Sequence, residues 1–355
     1  MGLFDNSLKE GESLLKYPEV LEHDYLPKLL PYRDNQQMYI SDCIKPLLQG
    51  RNGKCLLITG APGIGKTAAT KYVLRELDEK GLDDRVTPIY INVWKKNTPH
   101  KVILDICDQI GFKFTHNRTT DELMREITRI LNKTSAVIVL DEADKIEDQQ
   151  IYYMLSEELS RKTLILITNE RQWLADIDQR IRSRLNPEVL EFKPYNLEET
   201  QGILKERTEQ SLVPGVMEKD AFDTIVQKTY SLNDIRTGLF LIKESAELAE
   251  AESSKKIRLK HANKAIEKLK TFTIKSSADL NTDKRDLLSV IKENSGKTIG
   301  EIHKLAGEPP YSTFRRKIDE LAAGKFISLK EVNEGHAGKT SLVYFGQQGK
   351  TLKDF

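Results

Sequence analysis

Gly60-Ala61-Pro62-Gly63-Ile64-Gly65-Lys66-Thr67 fits the pattern G-x-x-x-x-G-K-[ST] of a phosphate-binding loop. The apolar run Lys54-Cys55-Leu56-Leu57-Ile58-Thr59 precedes it and reads as a buried strand. Residues 68–77 follow with apolar positions at helical spacing. Strand, glycine loop, helix is the context in which backbone N–H groups curl round an anion and a helix N-terminus adds its dipole. Gly60, Pro62, Gly63, Ile64, Gly65, Lys66, Thr67 and Ala68 are therefore the candidate nucleotide-binding residues. Lys66 can reach the β- and γ-phosphates, and the Thr67 hydroxyl can ligate Mg²⁺. A plain glycine turn between strand and helix would not require Lys and Thr in this register.

Ala136-Val137-Ile138-Val139-Leu140-Asp141-Glu142-Ala143-Asp144 is the second decisive stretch. An apolar strand ends in two carboxylates. Placed beside the loop strand, Asp141 would face Mg²⁺, and Glu142 would face the γ-phosphate as the base for an attacking water. Thr163-Leu164-Ile165-Leu166-Ile167-Thr168-Asn169 is another buried strand, whose terminal Asn169 can position that water; alone, an Asn there is ordinary turn chemistry. Residues 86–93 read as a further strand, and 36–48, 98–110 and 120–131 as helices. Strands alternating with helices imply an α/β fold with a parallel, helix-covered sheet.

The bulk numbers bound the function. The chain has 355 residues, enough for two or three domains, with 55 Lys and Arg against 54 Asp and Glu. Any nucleic-acid site must be local. Cys43, Cys55 and Cys107 form no C-x-x-C pair, so neither a disulfide framework nor a zinc site is expected, which fits a reducing cytoplasm. No apolar run is long enough to span a bilayer, and no secretory leader or membrane partner is expected.

Beyond Phe192-Lys193-Pro194-Tyr195 only helical patterns appear, over 197–210, 218–229, 231–251 and 259–270, with a basic run from Lys255 to Lys275. Residues 271–280 read as a polar linker. Three short helices, 284–293, 299–305 and 311–323, then precede two β runs, 326–332 and 341–345, around a glycine-rich tip. That is the order of a winged helix. Tyr311, Ser312, Thr313, Arg315, Arg316 and Lys317 would lie on or near its recognition helix, and His336, Lys339 and Thr340 at the wing tip. A winged helix that docks protein is the alternative, and the 13 Lys and Arg against 11 Asp and Glu in 278–355 do not separate the two.

With these pieces in place the chain resembles an archaeal Orc1/Cdc6-type replication initiator, an AAA+ ATPase, over nearly its full length. The phosphate loop and Leu140-Asp141-Glu142-Ala143-Asp144 are shared by AAA+ proteins broadly. More specific are Leu30-Pro31-Tyr32-Arg33-Asp34, Ile91-Asn92, Ser183-Arg184-Leu185, Phe192-Lys193-Pro194-Tyr195 with Arg207, and Asn233-Asp234-Ile235-Arg236. The resemblance implies an AAA+ core over 1–195, a helical lid over 196–275 and a winged-helix DNA-binding domain over 276–355. It makes Asn169 the sensor 1 residue, Arg184 an arginine finger for a neighbouring subunit and Arg236 the sensor 2 arginine. Tyr195 and Arg207 fall at the nucleotide, where a tyrosine can stack on adenine. Asn233 stands where the family usually has glycine, and 113–119 is short for the ATPase-domain insert that contacts origin DNA. The implied cofactors are ATP, ADP and Mg²⁺. The implied partners are double-stranded origin DNA, the replicative helicase, and paralogous initiators or further copies of the chain. The implied activity is slow ATP hydrolysis in the nucleoid. A nucleotide-switched DNA-binding regulator without turnover is the alternative. A clamp-loader or transposition-helper ATPase shares residues 55–240 but need not end in a winged helix.

Overall fold

The computed structural model describes residues 13–170, 172–278, 282–307, 310–323, 326–333 and 339–345. The chain divides between Ala265 and Ile266 into two compact units.

The first unit is built on five strands: β1 (Leu56–Thr59), β2 (Val86–Asn92), β3 (Ser135–Asp141), β4 (Lys162–Thr168) and β5 (Glu188–Glu191). All pair in parallel, in the order β2-β3-β4-β1-β5. Every residue of β1 and β3 is buried, because helices cover both faces, and both strands therefore read as unbroken apolar runs. Alternate side chains go to opposite faces. Leu56, Ile58, Val137 and Val139 pack with α1 (Asp34–Leu48) and α2 (Lys66–Glu79). Leu57, Ile138 and Leu140 pack with α3 (Pro99–Gln109), α4 (Thr120–Leu131) and α5 (Gln150–Glu158). Each such Leu or Ile contributes about 1.5–3 kcal/mol by burial. Two short helices, α6 (Trp173–Asp176) and α7 (Gln179–Leu185), link β4 to β5.

The strand order corrects one expectation. β3 is not the neighbour of β1, because β4 lies between them. Asn169 thus follows the strand between Lys66 and Asp141. β5 was not evident in the sequence: it has four residues, alternates half-buried and exposed, and lies at the sheet edge.

Four helices follow: α8 (Leu197–Ser211), α9 (Lys219–Leu232), α10 (Ile235–Ala251) and α11 (Leu259–Ala278). Asn196 and Glu199 form a reciprocal cap that starts α8. The apolar spacing expected as one helix over 231–251 is broken at Asn233, which ends α9 at φ 53°. Asn tolerates that left-handed backbone, which explains how it serves where the family has glycine. Asp234 then caps α10 by accepting from the Arg236 N–H at 2.9 Å. The expected linker over 271–280 is helical as far as Ala278. The start of the lead-in packs on the helices after the sheet: its turn Pro18–Leu21 buries Val20 and Leu21, Lys16 and Tyr17 N–H donate to Ser211, and Leu14 N–H donates to Glu250.

The second unit holds α12 (Thr282–Glu293), β6 (Lys297–Thr298), α13 (Ile299–Ala306), α14 (Tyr311–Ala323), β7 (Ile327–Asn333) and β8 (Lys339–Phe345). Its antiparallel sheet runs β6-β8-β7 around Leu287, Ile291, Ile302, Phe314, Ile318 and Val343. This is the winged-helix order, with the two-residue β6 as the element the sequence did not show.

Candidate active site and nucleic-acid face

The phosphate loop joins β1 to α2 at the C-terminal edge of the sheet, where α/β folds bind ligands. Two of its glycines are required by close approach. Gly63 has φ 73°, and a Cβ there would stand 1.9 Å from Asp234 Oδ1. Gly65 has φ 91°, and a Cβ would meet the Tyr195 hydroxyl at 2.6 Å. Gly65 is the N-cap of α2 and supplies no capping side chain, so the first-turn N–H groups of Lys66, Thr67 and Ala68 have no acceptor within the helix. Pro62 is exposed, and Ile64 points into the core beneath the loop.

Lys66 is 7 % exposed, and its ammonium donates to Gly60 O at 2.7 Å, Ala61 O at 2.8 Å and Asn169 Oδ1 at 2.7 Å. Burial pulls its pKa down to about 8; the Glu142 and Asp141 carboxylates oppose that shift and Arg236 adds to it. The Asn169 amide also donates to Glu142 Oε2 at 2.9 Å. One side chain therefore bridges the loop cation and the candidate base, which turn chemistry alone would not produce. Glu142 has φ 57°, a left-handed backbone that typically costs a non-glycine residue about 1–3 kcal/mol and clusters at functional sites.

Asp141 is buried and carries three donors: Thr67 Oγ1 at 2.7 Å and Tyr90 OH at 2.6 Å on Oδ2, and the Glu142 N–H at 2.9 Å on Oδ1. Asn92, in register with Asp141, lines the same cleft, and its buried Oδ1 has no hydrogen-bond donor among the described residues. A carboxylate, a hydroxyl and a spare amide acceptor form an all-oxygen donor set, which fits a hydrated Mg²⁺.

The cleft encloses about 480 Å³ between loop, strand ends, lead-in and lid. Lid and loop meet directly, the Ile235 N–H donating to Gly63 O at 3.2 Å, and Arg236 stands on the cleft wall. Arg207 is buried on the lid, donates to Val20 O at 3.3 Å and lies 4.9 Å from the Tyr25 ring, so it secures the lead-in. Tyr195 lines the cleft, but Arg33 already covers its ring at 3.8 Å. Arg33 is 4 % exposed and donates to Ile64 O and Lys193 O at 2.8 Å each, tying loop to hinge. Arg184 is elsewhere. It is exposed, pairs with Glu157 at 3.3 Å and stands with Asn52 and Lys162 near the opposite end of the strands. It does not line this chain's own cleft.

In the second unit Phe314, Ile318 and Leu321 turn inward from α14. Tyr311, Ser312 and Arg316 are exposed, and Thr313 and Lys317 are half-buried. Arg315 is held by Asp319 at 3.1 Å, one turn on. His303 packs edge-on against Tyr311, with ring centroids 5.3 Å apart. Lys339 and Thr340 open β8, paired with Asn333 and Val332, and not a loop tip as expected. His336 lies outside the described residues. Other basic stretches are partly compensated. Lys113 pairs with Asp108 and Arg118 with Glu126, while Lys260 and Lys264 share Glu252, whose carboxyl they hold down to about 2. Among the described residues no helix is long and apolar enough to cross a membrane.

Residues 49–173 match the AAA domain family, and residues 201–267 match the Cdc6 AAA+ ATPase-type lid domain. The chain is 31 % identical to ORC1-type DNA replication protein 1 of Sulfurisphaera tokodaii, over 94 % of this chain and 90 % of that protein. It belongs to the ORC1-type DNA replication protein family. Among solved structures, the Aeropyrum pernix ORC1 protein in complex with DNA shares the fold at TM-score 0.79 and 24 % identity, covering 94 % of each chain. The Aeropyrum pernix ORC2 protein, solved as ADPNP–ADP complexes, superimposes at TM-score 0.70 and 18 % identity, again over 94 % of each. The two matched segments, the AAA domain and the Cdc6-type lid, fall on the parallel sheet with its helices and on the helices α8 to α11 described above.

Proposed function

We propose that this chain is an ATP-controlled initiator that binds replication-origin duplex through its winged helix, hydrolyses ATP slowly and helps to recruit or load the replicative helicase. The observation that carries the ATPase half is the hydrogen-bonded row Lys66–Asn169–Glu142 beside the Thr67–Asp141 pair. Lys66 and the N–H groups of the α2 first turn receive the phosphates. Thr67 and Asp141 would hold Mg²⁺, which supplies charge neutralisation at the phosphates when bound. Asn169 holds Glu142, and Glu142 takes the proton of the attacking water. Arg236 adds positive charge from the lid. Arg184, outside its own cleft, is offered to a second copy or a paralogue. The DNA half is supported by the exposed N-terminal face of α14 and by the relative solved with DNA. Site of action would be the nucleoid.

A regulator that binds nucleotide without turnover is the second reading. It is favoured by the position of Arg184, which pairs with Glu157 away from the cleft, so that a single copy brings no arginine finger to its own nucleotide site. Steady-state ATP hydrolysis, with and without duplex DNA, separates the two. Turnover that Glu142→Gln removes supports the first; nucleotide binding with no turnover in either condition supports the second.

A further inference from the structure

We infer that Tyr90 is a positioning residue for the metal carboxylate: its hydroxyl fixes Asp141 and thereby sets how strongly Mg²⁺ and ATP bind together. The inference rests on the nucleotide reading above and adds a residue to it. Tyr90 lies in β2, one strand beyond Asp141, and its hydroxyl donates to Asp141 Oδ2 at 2.6 Å. The same oxygen accepts from Thr67 Oγ1 at 2.7 Å. Thr67 can ligate the ion through a lone pair and keep its O–H on Asp141, so Tyr90 is the side-chain donor to that carboxylate that is not itself a ligand.

Tyr90 is itself held on three sides. β2 is an edge strand, and the Gln109 side-chain amide replaces the missing neighbour, accepting from the Tyr90 N–H at 3.0 Å and donating to its carbonyl at 2.9 Å. The Lys71 ammonium, from the helix that starts at Lys66, stands 4.4 Å from the ring centroid. Backbone, ring and hydroxyl are thus each anchored by a different element. The ring packs at the border of the α1/α2-side core and also lines the cleft, so its hydroxyl, and not its apolar body, is the part that the core does not require. Donors that hold a ligating carboxylate typically change metal affinity 10–100-fold when removed.

The test uses the full-length chain and Tyr90→Phe, which keeps the ring and removes only the hydroxyl. ATP affinity is measured by competition against the fluorescence of MANT-ATP, once in EDTA and once in saturating Mg²⁺. The ratio of the two affinities is the coupling between metal and nucleotide. Tyr90→Phe is expected to leave the EDTA affinity unchanged and to lower the ratio roughly tenfold. In an Asp141→Asn background the same change should have no further effect, because the group it orients has lost its charge. An unchanged ratio overturns the inference. So does an equal loss in EDTA, or an undiminished effect of Tyr90→Phe in the Asp141→Asn background. If wild-type protein binds MANT-ATP in neither condition, it is the nucleotide reading that fails.

Discussion

ATP binding should draw a proton from solvent at alkaline pH, and the residue responsible should be Lys66. The residue is 7 % exposed and its pKa is lowered from 10.5 to about 8, chiefly by burial. At 1.36 kcal/mol per unit, that depression stands for about 3 kcal/mol by which the ligand-free site disfavours the charge. Bound phosphates supply the opposite charge and return the pKa toward or above its ordinary value. The sign follows: the free protein has lost the proton above about pH 8, while the complex keeps it, so binding is linked to proton uptake. Apparent affinity is then fully present below about pH 8 and falls by up to about tenfold per unit above it. The same depression makes the ligand-free protein gain stability from this group as pH rises between about 8 and 10.5, because the unfolded chain holds the proton longer. Calorimetric titration of ATP in two buffers of different ionisation enthalpy measures the uptake. About half a proton is expected near pH 8, rising toward one near pH 9. Lys66→Arg, which cannot titrate in this range, should show none if it binds. Absence of uptake in the wild type across that window would refute the assignment of Lys66 to the phosphates.

Glu142→Gln should keep ATP affinity and lose roughly 10²–10⁴-fold in turnover, since the amide cannot accept a proton; single-turnover hydrolysis checks this. Arg184→Ala should leave ATP binding by the monomer intact and lower hydrolysis only where copies assemble, so equal rates at all protein concentrations would count against a role in trans. Arg315→Ala/Arg316→Ala and Lys339→Ala should weaken duplex binding without changing ATP affinity, each lost phosphate contact reducing the slope of log K against log[salt] by roughly 0.9. Because Asp319 holds Arg315 at 3.1 Å, Asp319→Ala should strengthen duplex binding in the same anisotropy assay.

Most of the core was legible because its chemistry is written contiguously. The phosphate loop and the Asp141-Glu142 pair each sit at the end of an apolar run, and a run buried on both faces can be read without knowing its neighbours. Strand order could not be read, because it depends on which crossover each helix takes. Tyr90 and Arg33 escaped for a related reason. Their partners Asp141, Ile64 and Lys193 are distant in sequence, and a half-buried Tyr or a buried Arg leaves no local periodicity. At 231–251 apolar spacing alone gave one helix; the break is set by the backbone of Asn233. The winged helix was readable from element order, but Lys339 was misplaced because β8 begins two residues earlier than its apolar run.

Whether this chain initiates replication is tested most directly by mapping where it sits on the chromosome of growing cells. Discrete sites are expected that coincide with the points from which replication starts, and the Arg315→Ala/Arg316→Ala variant should lose them. Even occupancy along the chromosome, or discrete sites unrelated to replication starts, would contradict an origin-binding role.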